Sequence, residues 1–315
     1  MKVLVAGGAG FLGSYLAERF VANGDDVHIL DNFASGLKQN IENVQEKITL
    51  LENDVISFLT DEKYDIVVNF ASRASRVEWE KHPVDVALSN AIGSKNLIET
   101  ALKSNALYVY ASSSEVYGDP TVIPTPENYI GCISTTGSRS PYDEGKRFGD
   151  AITKAYERQY GLRNIIIRFF NTYGPRMRGG DFYGRVVDRF IDQAMHNEPI
   201  TVYGDGSQTR SFTYVSDTID GVMTAITKGK EGEIYNIGND SETTILDLGK
   251  IVKSACNGSS TIVFKELPED DPSRRSADIS KMRKIGWRPK VQLQDGIQRT
   301  IRYYEAQADR SNILQ

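Results

Sequence analysis

Apolar and polar positions along the chain alternate between two rhythms. Short apolar runs at residues 2–7 (KVLVAG), 26–30 (DVHIL), 48–54 (ITLLEND), 64–72 (YDIVVNFAS), 106–114 (ALYVYASSS) and 163–171 (RNIIIRFFN) have the length and β-branched content of buried strands. Between several of them lie segments with helical spacing, the first being SYLAERFVANG with its glycine stop at Gly24. Strands alternating with helices predict parallel βαβ units, hence an α/β fold built on a doubly wound, Rossmann-like parallel sheet. In such sheets ligands sit at the carboxyl ends of the strands, where the polar clusters of this chain fall.

After NTYGP the rhythm changes. Residues 184–198 (GRVVDRFIDQAMHNE) read as a helix, 200–215 (ITVYGDGSQTRSFTYV) as strand and turn, and the chain from about Ser241 as shorter mixed elements. The predicted organisation is a dinucleotide-binding domain of residues 1–173 with about 209–236, and a smaller interleaved substrate domain of 174–208 and 237–315. No Pro- or Ser-rich linker separates them, so a cleft between closely packed parts is expected.

Composition narrows the function. A chain of 315 residues, 40% hydrophobic and 25% charged, buries a sizeable core. No apolar run approaches the roughly 18 residues of a membrane span, and glycines interrupt the N-terminal run, so neither a membrane segment nor a secretory signal is expected, and the location is read as cytoplasmic. The net charge of −5 argues against a broad nucleic-acid surface. Cys132 and Cys256 are far apart, and His28, His82 and His196 lack ligand spacing, so no metal site is expected.

Two constellations carry chemistry. Gly7, Gly10 and Gly13 form G-x-x-G-x-x-G, with Phe11 and Leu12 inside it, between the first strand and first helix. Glycine there permits the tight turn and the close approach of a pyrophosphate. Asp31 ends the second strand 18 residues after Gly13, where an acid accepts hydrogen bonds from an adenosine ribose and disfavours a 2′-phosphate. The expected cofactor is therefore NAD, with Asn32 and Asp54 at its adenosine end.

The second constellation is Tyr142 and Lys146, four apart on a predicted helix and so on one face. The ammonium stabilises tyrosinate, which takes a proton from a substrate hydroxyl while that carbon gives up hydride. Ser113, at the end of the fifth strand, is in place to hydrogen-bond the same hydroxyl.

These residues resemble the extended short-chain dehydrogenase/reductase family of nucleotide-sugar enzymes over essentially the whole chain. The segments DNFASGLKQN, SSEVYGDP, SRSPYDEGKR, RFFNTYGPRM, GRVV, TVYGDGSQTRSFTYV and EDDPSRRSADI are most similar to its UDP-glucuronate decarboxylase branch. The resemblance implies catalytic positions at Ser113 (where the family usually has Thr), Glu115, Tyr142, Lys146 and Arg210. It also implies Asn171 near the sugar, Arg185 and Arg275 around the UDP, Tyr203 among the substrate contacts, and a homodimer.

Oxidation at C4 of a glucuronate makes a ketone β to the carboxylate, so carbon dioxide can leave. Glu115 is then expected to order a water or proton donor near C5, and Arg210 to hold the carboxylate or the sugar. The related 4,6-dehydratases place an Asp where this chain has Ser114. A serine is a poor acid for expelling hydroxide, which disfavours dehydration. A UDP-sugar 4-epimerase shares the same core and is the alternative, with Glu115 tipping the choice to decarboxylation. Two loops depart from the decarboxylase pattern. YIGCISTTGSRS has Ile130 and Ser134-Thr135 in place of a Trp and an Asn-Pro, and is expected beside the sugar. RASRVEWEKHP lacks the usual prolines; its Arg73 and Arg76 are candidates to touch the substrate's acidic groups, with a polar loop and helix start the favoured reading.

Overall fold

The computed structural model describes residues 1–177, 186–267 and 274–313, with side chains to residue 307. In chain order the strands are β1 Lys2–Ala6, β2 Asp26–Asp31, β3 Ile48–Glu52, β4 Ile66–Asn69, β5 Leu107–Ser113, β6 Asn164–Phe169, β7 Thr172–Tyr173, β8 Ile200–Tyr203, β9 Thr209–Ser211, β10 Thr213–Tyr214, β11 Ile234–Ile237, β12 Glu242–Thr244, β13 Ile262–Lys265 and β14 Arg274–Arg275. The helices are α1 Phe11–Ala22, α2 Arg76–Lys81, α3 Pro83–Leu88, α4 Ser94–Ser104, α5 Ser140–Tyr160, α6 Val186–Met195, α7 Val215–Lys228, α8 Ile245–Cys256, α9 Ser280–Lys284 and α10 Leu293–Ile313.

Seven strands form one parallel sheet in the order β11-β6-β5-β4-β1-β2-β3. The order reverses at β1, and the doubly wound expectation holds. Continuous apolar strands arise because both faces are covered. Successive side chains point to opposite faces, so Val3, Val5, Val27, Ile29, Val68 and Val109 enter one core, with Leu16 and Phe20 of α1. Leu4, Ala6, Leu30, Val67 and Tyr108 enter the other, with Leu97 and Ile98 of α4. Cutting Leu16, fully buried, to Ala would cost about 2–5 kcal/mol.

Smaller sheets lie outside this one. The three-stranded sheet β12-β9-β14 puts Arg275 in register with Arg210, while β13 pairs with β8 and β10 with β7. The helix expected over 184–198 is seen as α6; the start of that segment lies outside the described residues. Among the described residues no helix is long and apolar enough to cross a membrane.

Helix α5 begins with Pro141 in its first turn and ends at Gly161, which takes the left-handed conformation (φ 71°) that closes helices. It lies close on β5 because Gly149 faces Tyr110, whose hydroxyl a Cβ would overlap. That close approach sets the depth of the residues one turn earlier, among them Lys146.

Candidate active site

The carboxyl ends of β1, β4, β5 and β6 open into a cavity of about 950 Å³. Gly7, Gly10, Phe11, Leu12, Gly13, Ser113, Glu115, Tyr142, Lys146, Asn171, Tyr203, Arg210 and Arg275 all line it. Arg185 lies outside the described residues.

At one end the glycine turn forms a backbone cradle. Gly7 has φ +75°, and its N–H donates to the Leu30 carbonyl at 2.8 Å. A Cβ on Gly13 would overlap the Gly7 carbonyl, so only glycine lets the first turn of α1 pack this closely on the loop. Helix α1 has neither a side-chain cap nor an acid in its first turn, the arrangement that favours an anion at a helix N-terminus. The cradle thus fits a dinucleotide pyrophosphate.

Asp31, Asn32 and Asp54 are not part of the cavity wall. The Asp31 carboxylate accepts from the N–H of Ala9 and of Phe33, each at 2.9 Å, and so braces the glycine loop. Burial raises its pKa, opposed by those two hydrogen bonds. Asn32 donates to Asp54 at 2.7 Å, tying the end of β2 to the loop after β3.

The catalytic face is built on β5 and α5. Lys146 Nζ donates to the Ala111 carbonyl at 2.9 Å and lies 5.7 Å from the centre of the Tyr142 ring. Burial pushes the Lys146 ammonium down to about 7, and Asp150, one turn further on, opposes this. Asp150 is in turn paired with Arg168 at 2.8 Å. Ser113 caps the short turn 114–117, its hydroxyl accepting from the Glu115 N–H at 3.2 Å.

Glu115 has partners that its sequence neighbourhood does not suggest. Arg275 holds its carboxylate through both terminal nitrogens, at 2.5 and 3.1 Å, and Arg139 bonds the same group. Burial works against the charge, but the two guanidiniums win and keep the carboxyl below the usual glutamate range. Arg275, expected around the UDP, therefore meets Glu115 in this structure, brought there by the β9–β14 pairing. Arg210, also buried, donates to the Thr209 carbonyl at 2.8 Å, and Asn171 to that of Ser211 at 3.4 Å. The ring of Tyr203 carries the Arg189 guanidinium 4.7 Å above it.

Three site residues were not singled out from the sequence. Arg139 contacts Glu115 and, at 3.4 Å, Asp143; its position at the N-cap of α5, three before Tyr142, was the available signal. Asp143 is raised to about 7 by burial and by the Glu115 charge. Trp79 stacks on Tyr142 with ring centres 4.5 Å apart. The divergent loop meets the expectation only at its C-terminal end. Ile130 is 86% exposed, and of residues 129–140 only Ser138 and Arg139 reach the cavity. The loop turns away because Gly131 and Cys132 pack on the turn after β5, where Cys132 bridges Gly118. Arg73 pairs with Glu78 at 2.7 Å and Arg76 with Glu80 at 3.0 Å; Arg76 also lines the cavity, whereas Arg73 does not.

Comparison with known proteins gives the same picture from sequence. Residues 3–238 match the NAD dependent epimerase/dehydratase family. UDP-glucuronic acid decarboxylase 1 of Arabidopsis thaliana is 40% identical over 304 residues, which cover 96% of this chain and 69% of that protein. Two solved structures superpose over 98% of this chain and the whole of their own. One is a UDP-glucose 4-epimerase with UDP-glucose from Thermotoga maritima (TM-score 0.90, 29% identity). The other is a UDP-glucuronic acid 4-epimerase variant from Bacillus cereus with a fluorinated UDP-glucuronic acid and NAD (TM-score 0.87, 28% identity).

Proposed function

The chain belongs to the NAD-dependent epimerase/dehydratase family, and we propose that within it the protein decarboxylates UDP-glucuronate to UDP-xylose through a transient 4-keto sugar. The observation that carries this reading is the end of β5, where Ser113, Ser114 and Glu115 line the cavity and Glu115 is held ionised by Arg139 and Arg275. A dehydratase needs an acid where Ser114 stands. The decarboxylase relative supports the choice.

Bound NAD supplies the acceptor and later the donor of the hydride at C4. Tyr142 takes the proton of the C4 hydroxyl and returns it at the end, and Ser113 hydrogen-bonds the same oxygen. The Lys146 ammonium favours the phenolate. Once C4 is a ketone, the C5–C6 bond breaks, carbon dioxide leaves and the electron pair remains as an enolate. Glu115 orders the donor that protonates C5, and Arg210 holds the sugar or its carboxylate. Asn171 and Tyr203 line the sugar and nucleotide side of the cavity, with Arg275 between Glu115 and the UDP. Asp31 faces the adenosine ribose, with Asn32 and Asp54 beyond it.

Residues 1–173 with about 209–236 act as the NAD-binding part, and 174–208 with 237–315 as the nucleotide-sugar part. A homodimer fits the exposed Val84, Leu88, Ile92 and Phe148, carried by α3, the turn after it and α5. The unpaired Cys132 and Cys256 suit the reducing cytoplasm.

The test is release of labelled carbon dioxide from UDP-glucuronate labelled at C6, with absorbance at 340 nm followed alongside. Release without accumulated NADH supports the reading; retention of the label counts against it. The second reading, a UDP-sugar 4-epimerase, draws support from the two epimerase structures and keeps the label in the sugar.

A further inference from the structure

Trp79 lies 63 residues before Tyr142, on the short helix α2, yet its indole stacks on the Tyr142 ring at 4.5 Å with 17° between planes. With Val86 these two rings form a buried cluster separate from the main cores. The indole is pinned: its Nε1 donates to the Arg73 carbonyl at 3.0 Å. Arg73 in turn holds Glu78 at 2.7 Å and Asp85 of α3 at 3.6 Å, while Ser75 caps α2. The Arg139 guanidinium lies 5.4 Å from the centre of the same indole, and Arg139 bonds Glu115. One side chain therefore touches the base and the residue that holds the acidic group.

We propose that Trp79 is a positioning residue for this site, its flat face fixing the Tyr142 ring beside Lys146 and supporting Arg139 against Glu115. A simple apolar filler needs volume, which leucine supplies. A stacking platform needs a flat ring with a negative face, which phenylalanine keeps and leucine lacks. The proposal rests on Tyr142 being the base, so its test includes a readout that needs no turnover.

The chain has two tryptophans, so in a Trp287→Phe background Trp79 is the only tryptophan, and excitation beyond the tyrosine absorption band reports it selectively. Emission of the NAD-saturated protein is titrated towards alkaline pH with and without Tyr142→Phe. Lys146, Asp143, Glu115 and Arg139 on the Tyr142 side, and Arg73, Arg76, Glu78, Glu80 and Asp85 on the Trp79 side, are the charged groups around this pair, and they are the same in both proteins. The expected result is quenching as Tyr142 ionises, missing when Tyr142 is Phe; identical titrations overturn the proposal. In turnover of UDP-glucuronate, Trp79→Phe is expected to keep kcat within about threefold, while Trp79→Leu loses about tenfold or more with little change in KM. Equal kcat for the two variants overturns the proposal. Quenching that depends on Tyr142, without turnover of this substrate, would leave the positioning role standing and reject the substrate.

Discussion

Lys146 donates to the backbone carbonyl of Ala111 at 2.9 Å, which fixes the ammonium to β5 rather than to a loop. Burial lowers the pKa of that ammonium, and the Asp150 carboxylate opposes this.

Replacing Asp150 with Asn removes the charge that raises Lys146. The alkaline limb of kcat/KM is expected to move down by roughly one pH unit, since the ammonium is lost sooner. An unmoved limb contradicts that control. Unpairing Arg168 is also expected to cost about 3 kcal/mol, read in urea unfolding. Lys146 itself titrates at 10.5 unfolded and about 7 folded. The unfolded chain binds the extra proton between these values, so this group makes stability rise with pH across that window.

Glu115→Gln keeps the shape but leaves Arg139 and Arg275 without their shared carboxylate. Carbon dioxide release is expected to slow by about a hundredfold or more, with NAD affinity unchanged. A wild-type rate would remove Glu115 from the mechanism.

Asp143 has the opposite linkage to Lys146. Burial and the Glu115 charge raise it from 3.8 to about 7, so between these values the folded state binds the extra proton and stability falls as pH rises. Asp143→Asn removes that penalty. Its stability relative to wild type should improve from pH 5 to pH 8 by on the order of a few kcal/mol. Urea midpoints that differ equally at both pH values would refute this.

At the other end of the cavity, Gly13→Ala drives a methyl group into the Gly7 carbonyl. NAD binding should weaken by at least about tenfold, measured by calorimetry on protein whose circular dichroism confirms folding. Unchanged affinity would mean that the glycine turn is not the pyrophosphate cradle.

Legibility in the sequence followed distance along the chain. The glycine turn, Asp31 at the end of β2 and the Tyr142–Lys146 pair are local patterns set by one turn or one helix, and each was readable as residues at fixed offsets. Ser113 and Glu115 were readable as the polar end of an apolar run. The Glu115–Arg275 contact spans 160 residues and depends on β14 pairing with β9, a two-residue strand that no periodicity marks. Trp79 was hidden for a similar reason, because α2 is too short to show an apolar face. Asp31 was read as facing ribose, yet its carboxylate also braces Ala9 and Phe33, a backbone role that composition does not encode. The loop at Ile130 was expected beside the sugar, and only Ser138 and Arg139 at its end reach the cavity. Packing of Gly131 and Cys132 on the turn after β5 carries the earlier part of the loop away from it.

The most direct test is proton NMR of UDP-glucuronate incubated with the protein and NAD, following the anomeric and C5 signals. The expected product is a UDP-pentose with two C5 protons and no accumulated NADH, as UDP-xylose requires. A UDP-galacturonate spectrum, with a single C5 proton and the carboxylate retained, would contradict decarboxylation and assign the site to 4-epimerisation.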